Sequence, residues 1–206
     1  MSFDFHCHIG TLDQGGLVCT SRADEWPLVS DMPQHAIGLL EAGEDDLDAL
    51  CAALEADSRA QLGEVGLDAR SFRQSTAFLE GALECASSLG RMASLHVVRR
   101  HEEVIATLTR VRFTQPFIVH GFTSSPQVAR RYLDLGGIIS LSPRARMSRH
   151  YRQLITLPFV VESDMPLSPE SRRVLDGWVA QLAQDMGIGV EELERRLEDE
   201  RRVLAP

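Results

Sequence analysis

The segment Phe3-Asp4-Phe5-His6-Cys7-His8-Ile9 alternates apolar and polar side chains with the two-residue period of a β-strand. We expect its polar side chains to face the axis of a barrel and its four apolar side chains to face a surrounding layer of helices. His6 and His8, two positions apart on one face, can converge on one cation. Asp4 lies one step deeper on the same face, where a carboxylate can orient a metal ligand.

Seven further short apolar runs follow this segment, as expected for the buried strands of a parallel sheet. They cover residues 17–19, 36–40, 62–67, 93–98, 117–122, 137–141 and 159–161. Apolar residues at helical spacing separate most of the later runs. The tail, residues 168–206, has the pattern of two helices, and Gly187-Ile188-Gly189 marks the break between them.

These strands and helices predict one α/β domain over residues 1–206, with the architecture of a (β/α)8 TIM-type barrel. The chain is short for this fold, because such barrels run to roughly 250 residues. Only 56 residues separate His8 from Glu64, and they must hold three βα steps. One such step usually takes about 30 residues. We therefore predict a shortened barrel in which the helix after the first strand is missing or reduced.

The composition excludes several kinds of chemistry. All 21 basic residues are arginines, and the chain has neither lysine nor asparagine. A Schiff-base lysine, a P-loop lysine, a carbamylated-lysine metal bridge and a Cys-His-Asn triad are therefore impossible. The formal net charge is −9, yet residues 99–152 hold ten arginines and only three acids. This local excess predicts either an anion-binding site or a solvated arginine-rich face.

The apolar runs, the first residues and the cysteines indicate the cellular compartment of the protein. No apolar run approaches the roughly 18–20 residues that a membrane span needs, and Met1-Ser2-Phe3-Asp4 lacks the features of a secretory signal. The four cysteines show no paired spacing. We expect reduced thiols, a cytoplasmic location and no membrane partner.

Four later side chains that can bind a metal fall near the ends of separate predicted strands. They are Glu64, His96, His120 and Asp164. Each alone is compatible with a satisfied core histidine or a local ion pair. Because active sites of such barrels lie at the carboxyl ends of the strands, we expect all four to meet His6 and His8 there. Four imidazoles and two carboxylates are too many for one tetrahedral ion and fit two divalent cations that share a carboxylate.

At these residues the sequence resembles the TatD family of metal-dependent DNases, which have amidohydrolase-like barrels. The resemblance spans nearly the whole chain, and its motifs occur in the order of the family. They are Asp4-x-His6-x-His8, Gly63-Glu64-Val65-Gly66-Leu67-Asp68, Leu95-His96, His120-Gly121-Phe122-Thr123-Ser124, Tyr132-Leu133-Asp134-Leu135-Gly136 and Glu162-Ser163-Asp164-Met165-Pro166. The family's His-Pro after strand 3, its long loop after Pro166 and its near-terminal Asn are absent here.

The resemblance implies hydrolysis of phosphodiester bonds in DNA, usually from the 3′ end, with Mg²⁺ or another divalent ion. It implies one metal held by His6, His8, Glu64 and Asp164, and a second held by Glu64, His96 and His120. Mn²⁺ and Zn²⁺ are equally compatible with these ligands. Asp164 is our candidate general base, and Glu64 would keep the two ions at the right separation.

Other charged residues are expected to support this centre. Asp4 and Glu162 would orient the ligands, and the arginines after strands 5 and 7 would contact the substrate phosphate. These arginines are Arg99, Arg100, Arg144 and Arg146. Arginine presents a fork of donors that matches phosphate oxygens.

The sequence is also compatible with two other functions. One is a dinuclear-metal hydrolase of a small ester, amide or phosphoester, which the altered loops and the net charge of −9 allow. The other is a non-catalytic, metal-stabilised module in a larger complex. The barrel flank exposed by a missing helix leaves room for a protein partner or self-association.

Overall fold

The computed structural model describes residues 2–71, 73 and 75–204. Its eight strands form one sheet in which every neighbouring pair is parallel and the spatial order follows the chain. The strands are β1 (Asp4–Cys7), β2 (Gly16–Cys19), β3 (His35–Ile37), β4 (Gln61–Asp68), β5 (Ala93–Val98), β6 (Phe117–Val119), β7 (Gly137–Leu141) and β8 (Phe159–Val161). All eight strands occur where the apolar runs predicted them, and together they make the predicted (β/α)8 barrel.

Within the described residues, eight α-helices accompany the strands. They are α1 (Trp26–Val29), α2 (Leu47–Ala56), α3 (Thr76–Leu89), α4 (His101–Val111), α5 (Pro126–Asp134), α6 (Tyr151–Leu154), α7 (Pro169–Met186) and α8 (Val190–Leu204). The two tail helices are separated as predicted, because Gly187 adopts the left-handed conformation that ends α7. None of these helices is long and apolar enough to cross a membrane.

The barrel is shortened in its first half. The eight residues between β1 and β2, 8–15, contain no helix, and the connection from β2 to β3 carries only a short 3₁₀ turn and the four-residue α1. This confirms the predicted loss of the helix after the first strand. The longer helices α2 to α5 and α7 cover the remaining sheet.

The seam between β8 and β1 closes through the segment that follows β8. His8 pairs with Pro166 in a parallel bridge. The amide of Asp164 donates to the His6 carbonyl at 3.1 Å, and the amide of His8 donates to the Met165 carbonyl at 2.9 Å. Closure therefore brings the end of β1 against the loop that carries Asp164.

Apolar side chains fill the amino-terminal part of the barrel interior. Most of the filling residues come from strands on opposite sides of the barrel, so their mutual contacts form inside it, while Met92 precedes β5 and Leu204 ends α8. They are Phe5, Leu17, Cys19, Ala36, Met92, Ile118, Ile138, Val160 and Leu204. A larger apolar cluster on the other face of the strands packs against the helices.

The predicted orientation of β1 is partly wrong. Cys7 and Ile9 pack with the outer cluster as expected, but Phe5 lies in the interior cluster and Phe3 packs against it. The register of β1 against β2 is irregular between Asp4 and Cys7. This irregularity interrupts the two-residue alternation on which the prediction rested.

Gly66, in β4, lies too close to β5 to carry a side chain. A Cβ at this position would overlap the backbone carbonyl of His96. We expect Gly66→Ala to destabilise the fold by more than about 2 kcal/mol, because β4 must move away from β5. Thermal unfolding followed by circular dichroism measures the effect.

Gly43→Ala is the matched control, since Gly43 has an extended backbone and no atom near its added Cβ. Its melting temperature should stay within a few degrees of the parent, as is usual for a neutral surface change. Equal melting temperatures for the two variants would contradict the close approach of β4 and β5.

Candidate metal centre

The six predicted ligands converge at the carboxyl end of the barrel. They come from five strands or the residues directly after them: His6 from β1 and His8 just after it, Glu64 from β4, His96 from β5, His120 directly after β6 and Asp164 shortly after β8. His6, Glu64 and His120 are buried, whereas His8, His96 and Asp164 are partly open to solvent. The centre thus has a buried floor and an accessible rim.

Glu64 holds the buried part of the centre together. Its Oε1 atom lies 2.7 Å from His96 Nδ1 and 2.7 Å from His120 Nε2. These two ring nitrogens are 2.9 Å from each other. The other carboxylate oxygen, Oε2, lies 3.7 Å from His6 Nε2.

A second group of donors forms at the rim. His8 Nε2 lies 3.4 Å from Asp164 Oδ1. His6 links this group to the buried one, since its ring stacks on His120 with centroids 3.8 Å apart and planes 5° apart. Two sets of donor atoms are close enough to surround an ion, one from His6, His8 and Asp164 and one from His6, Glu64 and His120.

The donor atoms themselves fit divalent cations. His6 Nε2 is buried and has no hydrogen-bond partner within the described residues, although it points at Glu64. A buried polar atom without a partner is costly. Imidazole nitrogens and carboxylate oxygens at such spacing are the ligands that Zn²⁺, Mn²⁺ and related ions accept. A cation between them would satisfy His6 and keep Glu64 neutralised.

The charges of the centre are strongly coupled. Burial opposes ionisation of Glu64, but the charge and hydrogen bond of His120 outweigh it and hold the Glu64 pKa well below its usual value. Burial likewise opposes protonation of His120, yet Glu64 raises the His120 pKa to about 9. Burial, together with the nearby charge of His120, lowers the His6 pKa to about 4. The cation-free centre therefore holds a proton on His120 against an ionised Glu64.

Three groups that the sequence analysis did not assign fix the imidazole rings. His6 Nδ1 shares a hydrogen bond with Ser94 Oγ at 2.9 Å. His8 Nδ1 lies 3.4 Å from the Cys19 carbonyl, and His96 Nε2 lies 3.4 Å from Asp68 Oδ2. Contacts of this kind orient metal-binding histidines.

Two of these three partners had a signal in the sequence. Ser94 precedes His96 by two positions on β5, and Asp68 follows Glu64 by four on β4. Residues at even spacing share one face of a strand, so both positions point to the same side as the ligands. The third partner, the backbone carbonyl of Cys19 beside His8, has no signal in the sequence, because every residue carries a carbonyl group.

Asp4 and Glu162, the two predicted supporting carboxylates, are both buried. Asp4 Oδ1 accepts the Ser163 amide at 2.9 Å, one residue before Asp164, and burial raises the Asp4 pKa to about 6. Glu162 Oε1 accepts the Gly121 amide at 2.6 Å and lies 3.9 Å from His120 Nδ1. Asp4 thus contacts the segment that bears a ligand, and Glu162 lies beside a ligand ring.

The four predicted phosphate-contacting arginines differ in their placement. Arg144 Nη1 donates to Asp164 Oδ2 at 2.8 Å, at the rim of the centre. Arg99 follows β5 closely, is exposed and has no ion pair within the described part of the chain. Arg100 donates to Glu103 at 2.7 Å, and Arg146 lies 3.8 Å from Asp185 of α7. Carboxylates outside the centre therefore hold Arg100 and Arg146, and only Arg144 contacts a ligand.

Several known proteins are similar to this chain. A family model described as TatD related DNase matches residues 23–200. The uncharacterised metal-dependent hydrolase YjjV of Escherichia coli is 30% identical over 156 residues, and the match covers 69% of this chain and 60% of that protein. An uncharacterised metal-dependent hydrolase of Haemophilus influenzae is 26% identical over 151 residues, and the match covers 66% of this chain and 58% of that protein. The aligned parts thus span less than two thirds of these curated relatives.

Solved structures show the same fold. The crystal structure of YjjV, a TatD homologue from Escherichia coli K12, superposes with a TM-score of 0.81 and 22% identity, covering 98% of this chain and 97% of that one. A hydrolase TatD family protein from Entamoeba histolytica has a TM-score of 0.71 and 11% identity, with 99% and 98% coverage. The barrel is therefore a known architecture, and the likeness extends over nearly all of this chain.

The affinity of the centre for Zn²⁺ is expected to rise with pH up to about 9, the pKa of His120 in the cation-free protein. Below that pH a binding ion must displace the His120 proton, which costs about tenfold in affinity per pH unit. Isothermal titration calorimetry in buffers of different protonation enthalpy measures the released proton. Binding that releases no proton, and is equally tight at every pH, would contradict the charged His120–Glu64 pair.

Proposed function

Because the chain belongs to the TatD related DNase family, we propose that it is a metal-dependent hydrolase that cleaves the phosphodiester bonds of single-stranded DNA. The observation that carries the proposal is the convergence of three imidazoles on the buried carboxylate of Glu64. Next to it, His8 and Asp164 extend the donor set to the solvent-facing rim. The arrangement gives one end of the barrel both a cation site and access for a large substrate.

The proposed centre holds two divalent cations, Mg²⁺, Mn²⁺ or Zn²⁺. His6, His8 and Asp164 would bind one, Glu64 would contribute to both, and His96 and His120 would complete the other. When bound, such ions polarise a phosphate and lower the pKa of a water molecule. The chain would set the positions of these ions, because each proposed ligand lies at or just after a strand end. Three of the four imidazole rings are also oriented by a contact at their other nitrogen.

Asp164 is the proposed general base. Burial opposes its ionisation, but the hydrogen bond from His8 and the charge of His120 lower the Asp164 pKa below its usual value. The carboxylate is therefore ionised near neutral pH and able to accept a proton from the attacking water. Its side chain is 16% exposed, compared with 4% for Glu64, so water reaches it.

Arginines at the rim supply positive charge for the substrate. Arg144 already contacts the proposed base through a 2.8 Å hydrogen bond, which places its guanidinium beside the reacting groups. Arg99 is exposed at the end of β5, near the ligand His96. We assign phosphate contact to these two residues. Asp4 and Glu162 are proposed to keep Asp164 and His120 in position through the contacts described above.

Turnover by Asp164→Asn tests the role of this residue. We expect the kcat for labelled single-stranded DNA with Mn²⁺ to fall by about 10²- to 10⁴-fold, the usual contribution of a general base. Metal content, measured by atomic emission, should stay largely unchanged, because the amide oxygen can still bind an ion. Asp176→Asn, which alters an exposed acid on α7, is the control and should keep parental activity.

The same assay on the parent protein tests the function itself. DNA cleavage under Mg²⁺, Mn²⁺ or Zn²⁺ is the expected result. Turnover of a generic aryl phosphodiester without any cleavage of DNA would replace the nuclease with a small-ester hydrolase. Full metal content with no turnover of either substrate would indicate a metal-stabilised module without catalysis.

A further inference from the structure

A groove of about 580 Å³ lies beside the metal centre, between the loops that follow β6 and β7. One wall comes from the loop before α5 and the other from the 3₁₀ turn after β7 and the residues behind it. The lining residues are Thr123, Ser124, Ser125, Arg144, Met147, Ser148, Arg149 and His150. Its volume falls within the range of ordinary ligand pockets.

The groove has the chemistry of an anion site. No carboxylate lines it, although the whole chain carries a formal charge of −9. Arg149 is exposed and donates only to the neighbouring His150 ring, at 3.1 Å, with no acidic partner among the described residues. Hydroxyl groups of Thr123 and Ser124 line the opposite wall. Arginines and hydroxyls are the side chains that commonly contact nucleic-acid phosphates.

The groove is continuous with the metal centre. Arg144 lines the groove and also donates to Asp164 Oδ2. The two walls are tied to each other, because Ser148 Oγ donates to the Thr123 carbonyl at 2.8 Å. A molecule bound at the centre can therefore extend along the groove without a rearrangement of its walls.

Met147 adds an apolar surface to this polar groove. Its side chain is 89% exposed, the highest value among the large apolar residues described as exposed. An exposed thioether is unfavourable in water but packs well against aromatic rings. A nucleobase presents such a ring, and stacking against it does not depend on the base sequence.

We propose that this groove binds the nucleotide adjacent to the scissile phosphate, with Arg149 on that nucleotide's phosphate and Met147 against its base. The proposal rests on the proposed function, since it assumes that a DNA strand lies across the centre. It narrows the substrate class to strands with a phosphate beyond the one that is cleaved. A phosphodiester with a single phosphate would offer Arg149 no partner.

Binding of a short, fluorescein-labelled phosphorothioate thymidylate strand to the metal-loaded full chain tests the groove apart from catalysis. We expect Arg149→Ala to weaken binding several-fold and to reduce the slope of log Kd against log salt by about 0.7, the value for one phosphate contact on a single strand. The control is Arg130→Ala, an exposed arginine on α5 that does not line the groove. Equal slopes for the two variants would overturn the proposal.

Kinetics give a second readout. Met147→Ala should lower kcat/KM for a thymidylate strand, mainly through KM. Arg149→Ala should do the same but leave kcat/KM for thymidine 5′-(4-nitrophenyl phosphate) unchanged, because this substrate has no second phosphate. For Arg149→Ala, equal losses on both substrates, or no loss on either, would refute a subsite for the adjacent nucleotide. If the parent protein binds the strand with the expected salt slope but cleaves no DNA, the nuclease function fails and the groove remains a DNA-binding site.

Discussion

The buried carboxylate of Glu64 is the interaction on which the centre depends. A carboxylate that is 3% exposed is stable only when it is neutralised by close partners. Here the partners are histidines from three other strands, so the pairing of Glu64 also fixes the positions of β1, β5 and β6 relative to β4. Gly66 permits this arrangement, because β5 passes where its side chain would stand. The packing of β4 against β5 and the placement of the histidines around Glu64 therefore depend on each other.

Closure of the barrel is the second requirement. Asp164 reaches His8 only because the segment after β8 forms hydrogen bonds with the end of β1. Asp4 strengthens the same seam by accepting the Ser163 amide inside the barrel. The loss of the helix after β1 leaves this seam intact, since its contacts are made by backbone and buried side chains. A shortened barrel can thus still bring the six predicted ligands together.

The distribution of charge separates the two halves of the molecule. Acids dominate the first half, while the loops after β6 and β7 carry arginines and line a groove whose lining side chains include no carboxylate. Arg146 and Arg152 pair with Asp185, away from the groove. Arg144, which contacts Asp164, and Arg149 both line the groove that leads away from the candidate metal centre. The charge and the shape of this groove both indicate on which side of the candidate metal centre an anionic molecule would lie.

The sequence alone predicted the strands, the barrel class and six residues that converge at one end of the barrel, because strand ends in a parallel barrel share one face and because His, Glu and Asp have few reasons to lie there. It did not determine the orientation of Phe5, since a local irregularity in β1 changes which side chains face inward. Nor did it separate Arg144 from Arg146, which are two residues apart in one turn. Only tertiary packing placed one on Asp164 and the other on Asp185, because each guanidinium follows the carboxylate that the fold brings within reach.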